Sequence, residues 1–374
     1  VPKSKTVKAN TWFAGLSLFL LLMAIYLLRP LRDEAAVNIG VNQLGWLITA
    51  TFTLFCLLSI WTKVKASEAI RSFQRISLLI AFGVSICVCF EIQVALFLLI
   101  GTGSLLLVSL FWGVLNNSFD KTVAISQYPK ILLIGSLGGL SGPLLVTFLA
   151  PNGSRLIGIL AAFILVASAF MLRRVKPFQS DNKTDFHQSP QQNRPWPLAT
   201  IILLYSLLGT VLYGEHLAIV EIAGLSPDDQ LRFFGQRDLY VGMVTFVLQF
   251  LRQRFKSNTS WLGFKLMPLF TLIIMLTIGL FTSLETVLWS MVLFRSFSYS
   301  YLRPAREVYH LSKFNHFKIF IDTVIYRAGD LIGIWLFQLL MYHQFDYLQV
   351  GLFMIPMVIV WMLINQKIVK SLNV

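Results

Sequence analysis

The sequence predicts an all-α membrane protein with twelve transmembrane helices in two six-helix halves, and three observations predict it. The 374 residues are 56% hydrophobic and only 13% charged, with a mean hydropathy of +0.72. The apolar residues gather into runs of about 20, the length a helix needs to cross a bilayer. Lysine and arginine collect in every second loop between those runs, the asymmetry that orients membrane proteins.

The basic balance does not indicate a nucleic-acid partner. A net charge of +14 is spread over short loops and forms no patch interleaved with aromatics. The three cysteines, Cys56, Cys87 and Cys89, lie in apolar segments, and Cys87 and Cys89 point to different sides of a helix. Neither a disulfide framework nor a metal site follows. No nucleophile–base set and no phosphate-binding glycine loop is present, so the reading is of a protein that is not an enzyme, with no catalytic residues and no cofactor.

The first run, 12–29, is too long and followed by too many others to be a cleaved signal peptide. It ends in Arg29-Pro30-Leu31-Arg32-Asp33, which directly follow the span. Runs 43–62, 73–92 and 94–115 come next, with Glu91 and Gln93 marking the turn between the third and fourth. Asn116 and Asn117 close the fourth, where they can line a cavity or cap the helix. In 130–150, Gly135, Gly138, Gly139 and Gly142 share one helical face, suited to close helix packing. Run 155–173 completes the first half, residues 1–176.

Segment 177–196, rich in Gln, Asn, Ser and Pro, reads as a cytoplasmic linker to the second half, 197–374. Run 197–216 is extended by Glu215, His216 and Glu221, and Glu215 and His216 read as a solvated loop end or as a titratable pair at a cavity mouth. Arg237 and Asp238 open run 238–252. Runs 261–281 and 284–302 lead to Arg303-Pro304-Ala305-Arg306-Glu307, an echo of the motif after the first run. Run 319–341 holds Asp322, Arg327 and Asp330, and 346–366 is the last.

Lys3, Lys5 and Lys8, the basic residues of 63–75 and 173–194, and Lys367 and Lys370 all fall on one side of this topology. The other side holds Arg29, Arg32, Arg155, Arg232 and Arg237, so both termini are expected to be cytoplasmic. Two six-helix halves joined by a polar linker form the layout of a major-facilitator-like carrier, whose halves contain inverted three-span repeats around a central cavity.

Charges inside spans carry the functional reading. Each costs about 2.5–3.5 kcal/mol at the bilayer centre, so Asp322, Arg327 and Asp330 need partners or a polar pathway. Arg327 and Asp330, at i and i+3, read either as a self-neutralising pair or as a cation facing the cavity. An arginine fork matches phosphate or carboxylate, so Arg327 and Arg32 are candidate anion ligands. Asp33, Arg237, Asp322 and Asp330 are candidate coupling or ion-pair residues.

The pieces Leu28-Arg29-x-x-Arg32-Asp33, Phe111-Trp112-Gly113-x-x-Asn116, Tyr128-Pro129, Tyr213-Gly214 with Val220-Glu221, Phe234-Gly235, Arg303-Pro304-Ala305-Arg306-Glu307 and Ile321-Asp322 through Arg327-x-Gly329-Asp330 run in order along the chain. Together they resemble the nucleotide transporter (ATP/ADP translocase) family of plastids and intracellular bacteria. The resemblance implies nucleotide binding and exchange, with substrate-binding roles for Arg32, Glu221, Arg327 and Asn116. Arginine stands at 32 where the family carries lysine. The expected function is secondary active transport by alternating access, exchanging ATP and ADP or a related anionic metabolite. The expected partners are that small anion and the lipid bilayer, with no nucleic acid, and the chain is read as monomeric. A proton-coupled carrier of another small solute is the alternative, with Glu215, Glu221 or Asp330 as the proton site.

Overall fold

The computed structural model describes residues 4–61, 69–119, 121–175, 196–254, 262–303, 305–306 and 324–372, and among them there is no strand. The helices are α1 (Ser4–Ile39), α2 (Leu44–Trp61), α3 (Ala69–Cys89), α4 (Gln93–Ser118), α5 (Lys121–Leu149) and α6 (Gly153–Leu172). They continue as α7 (Trp196–Ile222), α8 (Pro227–Arg254), α9 (Leu262–Leu280), α10 (Leu284–Phe297), α11 (Tyr326–Tyr342), α12 (Tyr347–Phe353) and α13 (Ile355–Leu372). Eight stretches of the described residues are long and apolar enough to cross a membrane by that measure alone. The difference from twelve has physical causes. α5 and α6 merge into one apolar stretch, α10 and α11 are short, at 14 and 17 residues, and α8 begins with Asp228, Asp229, Arg232, Arg237 and Asp238. The chain is an all-helical, multi-pass membrane protein.

Two of the differences in helix boundary from the sequence expectation move paired charged residues into helices. α1 runs to Ile39 with Pro30 inside it, so Arg32 and Asp33 lie within the helix rather than after it. α8 begins at Pro227, so Arg237 and Asp238 lie in its interior. Hydropathy ends a span at its first charges, but charges that pair with each other permit the helix to continue. Local signals start α8 early: Pro227 takes the first helical position, Asp228 and Asp229 sit in the first turn, and the Ser226 hydroxyl accepts from the Asp229 amide at 3.3 Å.

The chain forms two compact units. Unit 1 draws on residues within 1–39, 50–187 and 225–239. In it α1 packs closely along α5 and α6. Gly142 permits the approach, because a Cβ there would stand 2.7 Å from the Met23 carbonyl oxygen, and at Gly138 a Cβ would overlap the Phe19 carbonyl outright. The glycine face read on α5 is thus a helix-packing surface. Opposite it, Ser17 and Ser168 bond reciprocally: Ser17 Oγ donates to the Ser168 carbonyl at 3.0 Å and Ser168 Oγ to the Ser17 carbonyl at 2.8 Å. Leu21, Leu27, Phe73, Leu107 and Phe111 form the buried core around these contacts.

Unit 2 draws on residues within 40–49, 188–224 and 240–374. Its central pair is α7 against α11, brought close by Gly329 and Gly333 at i and i+4. A Cβ on Gly329 would lie 2.6 Å from the Leu203 carbonyl oxygen. Ser283 caps α10, accepting from the Thr286 amide at 3.2 Å. Asp346 and Gln349 form a reciprocal capping box at the start of α12. α10 runs into a π-helical turn, Ser298–Leu302, which carries the chain to Arg303. Both units expose many large apolar side chains, among them Phe82, Phe148, Phe163, Phe246 and Leu339, as lipid-facing helices do.

Candidate functional site

In unit 1 five charged residues from α1 and α8 form a chain of alternating sign. Arg32 donates through Nε and Nη2 to Asp33 Oδ1, at 3.0 and 2.6 Å. Arg237 Nη2 donates to the other oxygen, Asp33 Oδ2, at 2.7 Å. Arg237 also reaches Asp238, its Nε donating to Oδ1 at 2.9 Å, and Arg29 Nη1 stands 3.7 Å from Asp238 Oδ2. The side chains of Asp33, Arg237 and Asp238 are fully buried, whereas Arg32 keeps 22% of its surface. Aromatic faces complete the setting, Tyr26 under Arg29 and Phe234 under Arg237. Among the described residues the chain counts three guanidiniums and two carboxylates.

Removing such charges from water costs several kcal/mol per ion, and close pairing recovers it only with good geometry. Hydrogen bonds of 2.6–3.0 Å to both oxygens of Asp33 supply that geometry. The cluster joins two helices far apart in sequence by contacts that can be broken and remade, unlike packed apolar surface.

Unit 2 holds the second charged group. Asp330, on α11, accepts from Arg327 Nη1 at 2.6 Å, from Thr210 Oγ1 at 2.9 Å and from Ser206 Oγ. The carboxylate thus fastens α11 to α7 while orienting the guanidinium. Arg327 keeps 23% of its surface and lies over the Tyr326 ring, beside Tyr205. Arg327 pairs with Asp330 along the helix, and part of its side chain remains exposed.

Glu221 stands elsewhere in the same unit. It is about 22 Å along α7 from Ser206, at 1.5 Å per residue, and so at a different level from Arg327. Its Oε2 accepts from the Val41 amide at 3.2 Å, next to Gly40, whose φ of +102° is left-handed and favours glycine. Gln338 Nε2 donates to the carbonyls of Val41 and Asn42 at 2.9 Å each, and Trp335 Nε1 to Thr49 Oγ1 at 3.0 Å. These residues brace 40–49 against α7 and α11. Asn116 lies in the last turn of α4. Asp322 lies outside the described residues.

Glu215 and His216 correct the solvated-end expectation, because α7 continues past them and both are buried completely. Both Glu215 carboxyl oxygens are buried without a hydrogen-bond partner among the described residues. The Tyr347 hydroxyl, also without one, is within electrostatic reach of Glu215 and Glu221.

Several contributors carried no signal in the sequence. Gln338, Trp335, Ser206 and Thr210 act through partners distant in the chain, and only the Gly329–Gly333 spacing could have pointed to the α7–α11 contact. Among the described residues no group of three His, Cys, Asp or Glu is placed to hold a metal ion.

No family model matches the chain, and no curated protein matches it. Solved structures do. A bacterial homolog of the human lysosomal transporter Spinster, inward-facing, aligns over 96% of this chain and 98% of its own, with a TM-score of 0.61 and 14% identity. The POT family transporter PepTSo aligns over 99% of each chain, with a TM-score of 0.63 and 12% identity. A bacterial homologue of the iron transporter ferroportin, also inward-facing, aligns over 98% and 99%, with a TM-score of 0.59 and 14% identity. The fold is all-α and major-facilitator-like. These neighbours are transporters of different names, so the shared fold selects no substrate.

Proposed function

We propose that this chain is a secondary carrier working by alternating access, and that it exchanges nucleotides or a related anionic metabolite across a bacterial inner membrane. The observation that carries the proposal is the buried ion-pair chain Arg32–Asp33–Arg237 joining α1 to α8. Helices held by pairs that can part and re-form are suited to switching between two packed states. The accessible guanidinium of Arg327, held by Asp330, favours an anionic cargo. Arg32 and Arg327 are assigned to the anionic groups of the substrate, and Asp33, Arg237 and Asp330 to the pairs that exchange as it binds. Glu221 is assigned to selectivity, on its resemblance to the acidic position of the nucleotide transporters. Glu221 braces Val41, so substrate arrival there would be felt by the link between α1 and α2.

A panel of ligands added to the purified protein tests this. ATP and ADP should raise its melting temperature more than neutral nucleosides, and Arg32→Ala and Arg327→Ala should each remove that rise. Equal stabilisation by nucleosides, or wild-type response in both variants, would retire the anion assignment.

Glu215 supports a second reading, proton-coupled transport. A buried carboxyl without a partner is costly as an anion, and gaining or losing a proton changes that cost, so it is chemically suited to carry one. An imposed pH gradient that drives uptake in the wild type and not in Glu215→Gln would favour it.

A further inference from the structure

A second basic site lies in unit 1, away from the ion-pair chain. α3 and α6 run antiparallel: Gln74 Nε2 donates to the Ala169 carbonyl at 3.5 Å, and further along Gly158 packs on Val88. At the Gln74–Ala169 level an open cleft of about 260 Å³ is lined by Arg71, Gln74, Arg75, Leu78, Phe170 and Arg173. Arg71 and Arg75 stand one turn apart on one face of α3, and Arg173 follows the last turn of α6. All three are exposed, and among the described residues none pairs with a carboxylate. Three cations held together without an anion repel one another unless a ligand neutralises them.

The apolar lining decides which ligand. Leu78 and Phe170 border the basic cleft and are 49% and 55% exposed. From there the same two helices continue with Phe82 and Phe163, at 68% and 71% exposed. The antiparallel register set by Gln74–Ala169 and Val88–Gly158 brings Phe82 and Phe163 to one level, about 12 Å along the helix from Gln74 at 1.5 Å per residue. A charged head with an apolar track leading away from it toward the membrane interior matches a phospholipid and gives a free anion nothing extra. Basic pockets between transmembrane helices are suited to anionic lipid headgroups.

We propose that Arg71, Arg75 and Arg173 form a binding site for the phosphodiester headgroup of an anionic phospholipid, with its acyl chain lying along Leu78, Phe82, Phe163 and Phe170. The guanidiniums donate charge-assisted hydrogen bonds to the phosphate oxygens, and Gln74 holds the two walls together. Occupancy of this site ties α3 to α6 at the Gln74–Ala169 level.

The test uses the full-length chain in a neutral detergent, following melting temperature as phosphatidylglycerol, phosphatidylcholine, inorganic phosphate or glycerol 3-phosphate is added. Phosphatidylglycerol should give a saturable rise that phosphatidylcholine does not. In Arg71→Gln/Arg75→Gln/Arg173→Gln its apparent affinity should fall about a hundredfold. Arg155→Gln, an exposed change elsewhere in unit 1, should respond as the wild type does. Because the three arginines are exposed, the triple variant should elute and melt as a folded protein without lipid. Equal responses to the two lipids, or an unchanged affinity in the triple variant, would overturn the proposal. A rise produced by inorganic phosphate or glycerol 3-phosphate at the same concentration would overturn the lipid assignment in favour of a soluble phosphate.

Discussion

Asp33 on α1 accepts a 2.7 Å hydrogen bond from Arg237 on α8, a fully buried ion pair between residues 204 positions apart. Removing one member leaves an uncompensated charge in the interior, which typically costs about 3–5 kcal/mol. Asp33→Ala and Arg237→Ala should therefore each lower stability by roughly that much, and the double variant should lose less than the sum of the two. Denaturation in detergent, read as a double-mutant cycle, checks this. Strict additivity would mean that the pair is not coupled.

Asp330 and Arg327 should behave unequally although they are partners. Asp330 accepts from Arg327, Thr210 and Ser206, so Asp330→Ala strips three donors and loosens α11 from α7. Arg327→Ala removes one bond and leaves the hydroxyls in place. Melting temperatures should rank wild type first, then Arg327→Ala, then Asp330→Ala. Transport should be lost in both.

Two neighbouring glycines on α5 give a sharper packing test. A methyl at Gly138 would run into the Phe19 carbonyl backbone, while at Gly139 its nearest neighbour is a Tyr26 ring carbon at 3.5 Å, an ordinary contact. Gly138→Ala should destabilise unit 1 strongly, and Gly139→Ala should be close to neutral. Comparing expression and thermal stability of the two variants is sufficient.

Glu215 separates exchange from proton coupling. If exchange is strict, counterflow continues when a protonophore collapses the pH gradient, and Glu215→Gln exchanges at about the wild-type rate. Loss of wild-type uptake on adding the protonophore, with Glu215→Gln indifferent to it, would move the coupling to a proton.

Most of the helical architecture was legible because it rests on composition: apolar runs long enough to span a bilayer, and a glycine face whose spacing is helical. Arg327 and Asp330 were legible as charges inside a span, and Arg32, Asp33 and Arg237 as charges at span ends. Their relationships were not. Arg237 meets Asp33 only because distant segments share unit 1, and a charge that ends a hydropathy window does not end a helix when its partner waits on another. Glu215 and His216 were misplaced for the same reason, since polarity suggested water where α7 continues into the core. Gln338 carries no charge and no motif, and its role appears only where two main-chain carbonyls arrive beside it.

The most direct measurement is counterflow in proteoliposomes preloaded with ATP, following entry of labelled ADP, beside Arg32→Ala, Arg327→Ala and vesicles loaded with other anions. Anion exchange through these arginines predicts uptake that requires internal nucleotide and disappears in either variant. Uptake that proceeds without any internal anion, or that survives both substitutions, would contradict it.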